Sequence, residues 1–201
     1  MNFDTIKKNL ERRGYTVSIF ETKEAAVEYL SERMAGVSVG IGGSMTVEEM
    51  GLYPALAFHN KVFWHQHAPV GMTAEEVRRA AAGAKVYISS VNALAESGEV
   101  INIDGYGNRV ASTIYGHEEV YLVVGSNKIR ASYDEALERA RNIAAPKNAK
   151  RLGKATPCAK LGDRCYDCKS PERICRALSV FWEKPTSSKM EIVLIDEELG
   201  Y

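Results

Sequence analysis

Residues 37–51 read V-S-V-G-I-G-G-S-M-T-V-E-E-M-G, and the order of residue types in this stretch decides the fold. An apolar run, Val37 to Ile41, passes directly into Gly42, Gly43, Ser44, Met45 and Thr46, after which Thr46 and Glu49 form the T-x-x-E pairing that opens a helix and Gly51 supplies its stop. A buried strand that turns through glycines into a capped helix is the repeating unit of a parallel sheet. The same turn has the makings of an anion site. Gly40, Gly42 and Gly43 let backbone N–H groups approach a ligand, the hydroxyls of Ser44 and Thr46 add donors, and the helix N-terminus adds partial positive charge. A phosphate or carboxylate suits such a loop, although glycines that only relieve crowding in a tight turn would look the same.

Upstream of this unit, Phe3, Ile6 and Leu10 recur at helical spacing before Gly14, and Val27, Leu30 and Met34 do so after Thr22, a residue able to cap that helix. A short strand, Tyr15 to Phe20, lies between the two helices. Downstream, Val62 to Trp64, Val86 to Ile88 and Val120 to Val124 read as buried strands, with helices opened by the pairs Thr73/Glu76 and Ser132/Glu135 and one stop at Gly83. Between Val91 and Tyr115 the rhythm changes around Asp104, Gly105, Gly107 and Asn108, which predicts a β-hairpin insertion. Pro146 should end or kink the helix that begins near Tyr133. Ala177 to Trp182 and Met190 to Ile195 then return to the main sheet or an edge of it. The expected architecture is α/β: a mostly parallel sheet flanked by helices, one domain spanning residues 1–201, with a cysteine-rich segment at 147–176 set within it.

Ligands of parallel α/β sheets collect beyond the carboxyl ends of the strands, and here those ends are polar. His65, Gln66 and His67 follow one strand, Ser89, Ser90 and Asn92 the next, and Gly125, Ser126, Asn127 and Lys128 a third. The predicted ligand-binding set is therefore Gly40, Gly42, Gly43, Ser44, Thr46, Asn92, Asn127 and Lys128, with Lys128 the cation that would neutralise a small bound anion. His65 and His67 are expected as pocket walls rather than zinc ligands.

Cys158, Cys165, Cys168 and Cys175 follow C-x6-C-x2-C-x6-C and account for every cysteine in the chain. Four thiolates in one short window suit a [4Fe–4S] cluster or tetrahedral zinc. Two local disulfides are the competing use of the same residues. Residues 147–176 hold nine Lys or Arg against Asp163, Asp167 and Glu172; this excess favours thiolates and offsets the net negative charge of either metal centre without choosing between them. Tyr166 is the one aromatic among these charges, and no RNP-like or helix-turn-helix pattern accompanies it, which argues against a nucleic-acid surface.

The whole chain balances 26 basic against 26 acidic residues, so its net charge gives it no reason to seek nucleic acid or an anionic membrane. No apolar run approaches the length of a spanning helix, and MNFDTIKKNLERRG lacks a secretory h-region, so a cytoplasmic location without membrane insertion is expected. The oligomeric state is open.

Taken in order, V-G-I-G-G-S-M-T (39–46), N-A-L-A-E-S-G (92–98), G-N-R-V-A (107–111) and V-V-G-S-N-K-I (123–129) resemble the LUD domain of bacterial lactate-utilisation proteins over nearly the whole chain. The resemblance implies the fold shared by ribose-5-phosphate isomerase and the CoA transferases, and a role in oxidising L-lactate to pyruvate alongside iron–sulfur oxidoreductase subunits. Two departures stand out. The isomerase's acidic D-G-A-D-E segment is absent, which speaks against sugar-phosphate isomerisation. Ala95, Glu96, Ser97 and Gly98 are similar to the S-E-N-G segment around the CoA-transferase nucleophile, with Ser97 in place of Asn, making Glu96 the candidate catalytic nucleophile for an acyl-CoA or phosphate-ester enzyme in which zinc would be structural. A non-catalytic assembly or sensor subunit is the third reading of the same residues.

Overall fold

The computed structural model describes residues 3–201. The chain runs α1 (Asp4–Arg12), β1 (Thr16–Phe20), α2 (Lys23–Arg33), β2 (Ser38–Ile41), α3 (Met45–Met50), α4 (Leu52–Ala57), β3 (Lys61–Trp64), α5 (Ala74–Ala82), β4 (Val86–Ser90), β5 (Ala93–Ala95), β6 (Val100–Asp104), α6 (Asn108–Ile114), β7 (Glu119–Gly125), β8 (Ile129–Arg130), α7 (Tyr133–Arg139), α8 (Ala145–Arg151), α9 (Pro157–Leu161), β9 (Ala177–Phe181) and β10 (Lys189–Ile195). Six strands in the order β1-β10-β7-β4-β2-β3 form the main sheet, and each neighbouring pair is parallel. The α/β architecture and the mostly parallel sheet are as the sequence predicts.

Alternation along the central strands explains the layering. Tyr87, Leu122, Ile192 and Leu194 point to one face, where they pack with Ile6 and Leu10 of α1 and Ala81 of α5. Their neighbours Ile88, Tyr121, Val123, Val193 and Ile195 point to the other, against Leu30 of α2, Val47 of α3 and Leu52 and Leu56 of α4. Both faces of β4, β7 and β10 are covered, which is why those strands read as continuous apolar runs. Burying each of these large side chains contributes roughly 1.5–3 kcal/mol, and their concentration at the sheet centre makes it the rigid part on which the loops stand.

The hairpin is present, since β5 and β6 pair antiparallel, but it is part of a second, four-stranded sheet in the order β8-β5-β6-β9. Strand β9 pairs antiparallel with β6, so residues 177–181 join this smaller sheet while β10 enters the main sheet between β1 and β7. The two-residue β8 and three-residue β5 are too short for periodicity to disclose, which is why the second sheet was invisible beforehand. Residues 108–114, read as part of the hairpin stretch, form α6 instead.

Capping follows sequence chemistry with one shift. Thr22, Thr73 and Ser132 each accept a bond from an amide in the first turn, and Thr73 with Glu76 makes the full reciprocal box. At the glycine loop, however, Ser44 and not Thr46 is the cap, accepting from the Val47 amide, so the helix begins at Met45 and Thr46 is inside it and buried. Pro146 does not end its helix. Residues 140–144 open into a π turn, with the Ala145 amide reaching back to the Ala140 carbonyl, a wider ring that accommodates a proline whose missing N–H would interrupt an ordinary α ladder. Helix continues to Arg151, so the first part of the 147–176 segment is helical and not loop.

Gly40 serves this packing. A Cβ on it would stand 2.4 Å from the backbone oxygen of Ala81 in α5 and 3.0 Å from the Tyr87 ring, so its hydrogen lets helix and strand touch and the residue does not meet a ligand. Gly40→Ala is expected to destabilise the protein by about 1–3 kcal/mol through overpacking. Urea unfolding measures this, and ligand-induced stabilisation per site should be unchanged in the fraction that folds.

Candidate functional site

Beyond the carboxyl ends of β2, β3, β4 and β7 lies a cavity of about 630 Å³, walled by Gly43 and Ser44, by His65 and Gln66, by Ser90 and Asn92, and by Lys128 respectively. Four loops expected to converge do so. The cavity's other walls come from the β6–α6 region, from α8 and from residues 171–176 of the cysteine segment.

Lys128 is the centre of the site. It ends a short 3-10 turn at Ser126–Lys128 and is only 4% exposed. Its Nζ donates to Thr46 Oγ1 at 2.6 Å, Ser90 Oγ at 2.8 Å and the Val91 carbonyl at 3.1 Å, and thus meets only neutral oxygens. Burial, followed by repulsion from Arg139 and Arg109, drives its pKa well below that of a free lysine, against a weaker opposing effect of Glu49. An ammonium without a buried counter-ion is costly to keep charged, and an incoming anion removes that cost.

Two arginines frame it in the same manner. Arg109 bonds Asn92 Oδ1 at 3.0 Å, the Ile103 carbonyl at 2.7 Å, the Ser90 carbonyl at 3.1 Å and Asn102 Oδ1. Arg139, 3% exposed, donates to the Asn127 carbonyl at 2.9 Å and to the Asn92 carbonyl, and desolvation lowers its pKa to about 10. Asp104 lies near Arg109 but its carboxylate accepts the amides of Tyr106, Gly107 and Val110, which fixes the start of α6. His65 is held toward its neutral form by burial and then by Arg78 and Arg151.

The predicted set divides. Gly43, Ser44, Asn92 and Lys128 line the cavity, and Thr46 supports it from below through Lys128. A Cβ on Gly43 would meet only the His65 ring at 3.3 Å and Gln66 at 3.6 Å, so this glycine opens onto the space. Gly42 does not: its amide continues the sheet by bonding the Ile88 carbonyl at 2.9 Å, and a Cβ there would strike Tyr87 Oη and Ser89 Oγ. Asn127 is also outside the walls, its amide group holding the chain at Leu199 and Gly200. His67 turns away to pair with Glu48 at 2.9 Å and stacks on Tyr53.

Glu96 is not brought to this cavity. It lies in the β5–β6 turn at the opposite end of β5 from Asn92, where Asn9 of α1 donates to its carbonyl at 2.8 Å and its own amide bonds the Arg130 carbonyl at 2.8 Å. Arg109, Asn102 and Arg139 were missed from sequence. Arg109 stands in the G-N-R-V-A motif, which was a usable signal; a buried Asn in a strand and an Arg in an amphipathic helix carry none.

All four cysteines are free thiols, so the disulfide reading of the cluster does not hold here. They share the lining of one small cavity with Arg141 and Arg173. The Asp167 amide donates to Cys165 Sγ at 3.3 Å, and Asp167 takes a left-handed φ of 44° within the C-x2-C turn. Arg173 clamps the loop by donating to the Cys168 and Cys175 carbonyls, both at 2.9 Å. Among the described residues no three Cys, His, Asp or Glu side chains are gathered tightly enough to hold a metal ion; the donor chemistry fits a thiolate-bound metal, and the thiols face a common space without closing on it.

The family model of the LUD domain matches residues 3–195, and the chain therefore belongs to the LUD-domain family, which is associated with lactate utilisation. A structure similar to it is the 1.70 Å crystal structure of a DUF162 family protein from Deinococcus radiodurans, at 11% identity and a TM-score of 0.54 over 97% of this chain and 99% of that one, which supports the fold. Comparison with curated proteins gives no significant match. Among the described residues no helix is long and apolar enough to cross a membrane.

The displaced pKa of Lys128 has a signed consequence. Folding lowers it, so between the folded-state value and 10.5 the unfolded chain binds more protons, and stability of the ligand-free protein rises with pH through that window. An anion against the amine favours the protonated form, so binding should take up a fraction of a proton, at most about one, and weaken as pH rises above the folded-state pKa. Calorimetric titration with sulfate, which does not itself titrate near neutral pH, in buffers of different ionisation enthalpy counts that proton; equal heats in all buffers at every pH tested would detach Lys128 from the anion.

Proposed function

We propose that this LUD-domain chain binds a small organic or phosphorylated anion over Lys128 and carries a four-cysteine metal centre, acting in the oxidation of L-lactate or a related organic acid together with iron–sulfur oxidoreductase subunits. The observation that carries the reading is the Lys128 amine, buried at the floor of a 630 Å³ cavity and touched only by neutral oxygens. In a soluble fold such a charge is retained where a ligand completes it. Asn92, the Gly43–Ser44 backbone and Lys128 would orient the anion. The family association supports the organic-acid context.

For the metal centre, support comes from the shared lining of one space by the four thiols, from the N–H···S bond to Cys165, and from Arg141 and Arg173 beside them. Cys158, Cys165, Cys168 and Cys175 would be the ligands. A [4Fe–4S] cluster there would supply one-electron transfer; zinc would hold the loop. Anaerobic purification, metal analysis and an absorbance spectrum separate the two. A Glu96 nucleophile finds no support in this geometry, because the residue stands outside the cavity.

Gly43→Val should remove most phosphate- or lactate-induced stabilisation while changing the ligand-free melting point little, since the space before Gly43 is bounded by side chains and not backbone. At a ligand concentration about 100 times Kd the wild-type protein should gain roughly 2.7 kcal/mol. Thermal-shift titration reads both quantities, and full ligand stabilisation in the variant counts against the loop.

Cys165→Ser and Cys168→Ser should each lose bound metal, with hydrogen-exchange protection falling within residues 147–176 and holding in β4, β7 and β10. Undiminished metal content in both variants contradicts the assignment.

A further inference from the structure

Cations are distributed in the cavity at two levels. Lys128 and Arg109 lie at the inner end beside Asn92. A second group, Arg151, Lys154 and Arg176, lines the outer part. Among the described residues neither group forms an ion pair, whereas the other two cations of the walls do, Arg78 with Glu75 and Arg173 with Asp167. Arg151 bonds Asn148 Oδ1 on its own helix, and Arg176 bonds the carbonyls of Arg173 and Pro171. The acidic residues of the walls are Asp104, whose carboxylate is taken up by the amides of the β6–α6 turn, and Glu172, whose carboxylate accepts the Ala155 amide at 2.6 Å.

The outer wall is firmly placed. The Arg176 amide donates to the Asp104 carbonyl at 2.9 Å. A Cβ on Gly105 would stand 2.3 Å from the Ile174 carbonyl, so residues 174–176 lie directly on the β6–α6 turn. Arg173 ties the same strap to the cysteine loop through Cys168 and Cys175.

We propose that the ligand bears two anionic groups, one seated at Lys128, Asn92 and the Gly43–Ser44 turn and the second at Arg151, Lys154 and Arg176. This rests on the anion site of that reading, not on lactate as its ligand, and names the substrate class: a phosphorylated organic acid or a bisphosphate rather than a simple monocarboxylate. Two considerations carry it. A single carboxylate at Lys128 leaves the outer cations without a partner. The cavity volume of about 630 Å³ also falls in the range of roughly 300–1,000 Å³ used for ligands much larger than a three-carbon acid.

The test is calorimetric titration at about 0.15 M salt, where long-range attraction between exposed charges is largely screened, with lactate, inorganic phosphate, 3-phosphoglycerate and fructose 1,6-bisphosphate as probes. At least one of the two doubly anionic probes should bind tenfold or more tighter than phosphate. Arg151→Gln with Lys154→Gln, neither of which holds the strap, should bring that affinity to the phosphate level and leave phosphate itself unchanged; hydrogen exchange verifies that the fold is intact. Phosphate binding with no gain for either doubly anionic probe overturns this inference and spares the anion site. A double variant that retains the gain, or that weakens phosphate equally, also overturns it. If no probe binds, the anion-site reading falls and this inference with it.

Discussion

A lysine amine almost wholly buried at a cavity wall, and offered hydroxyl and carbonyl oxygens as its hydrogen-bond partners, is the constraint around which the rest of this structure is arranged. Keeping an ion in such a place costs several kcal/mol unless charge is returned to it, and among the described residues no carboxylate bonds the amine. Asp104 is bound to backbone amides, and Glu49 lies near enough to be felt but accepts the Gly200 amide. The three hydrogen bonds of Lys128 therefore fix where the amine sits, and they leave its charge to be met from the cavity.

Holding that arrangement requires a stiff base, which the central strands provide. Because β4, β7 and β10 are covered on both faces, their carboxyl ends are fixed with respect to each other, and Ser90 and Lys128 meet although 38 residues apart in sequence. Glycines contribute by removing bulk at chosen places, and of Gly40, Gly42 and Gly43 the last alone lines the cavity. Gly40 and Gly42 bring α5, Tyr87 and Ser89 into contact with β2, and Gly43 then faces the open cavity. A motif that reads as one anion-binding loop is thus two packing positions followed by one that lines the cavity.

This division shows what the sequence could disclose. Strands buried on both faces declare themselves as apolar runs, and polar residues just after them fall at the carboxyl ends of the sheet, so the place of Ser44, Asn92 and Lys128 in the cavity wall was legible with no knowledge of contacts. The second sheet was not, because its strands of two and three residues owe their existence to tertiary pairing. Thr46 and Asn127 were misread in detail because a hydroxyl or amide near a strand end can serve the ligand, the helix cap or the backbone, and only coordinates reveal which partner it takes. Glu96 was close in sequence to Asn92 yet stands at the other end of the short strand β5, where the hairpin turn carries it away from the cavity. Arg109 and Arg139 needed the reverse correction: charged residues that composition assigns to solvent are placed inward by their hydrogen bonds to Asn92.

The helical run from Tyr133 to Arg151 joins the two parts of the molecule. Arg139 on its first segment holds the backbone at Asn92 and Asn127. In the π turn, Asn142 accepts the Cys165 amide at 2.7 Å, and Arg141 lines the cysteine space. Ala145 borders both cavities, and Asn148 and Arg151 line the larger one. An uninterrupted α-helix cannot contain Pro146 without losing a backbone bond, and the π turn that admits the proline also advances the register of every residue after it. Residues before the turn thereby face the strand ends while those after it reach the outer wall. The cysteine loop is held by Asn142 on this helix and by Arg173 on the strap, so its order and that of the cavity's outer wall depend on the same few bonds. Arg173, which lines both spaces, thereby couples the backbone at Cys168 and Cys175 to the outer wall of the larger cavity.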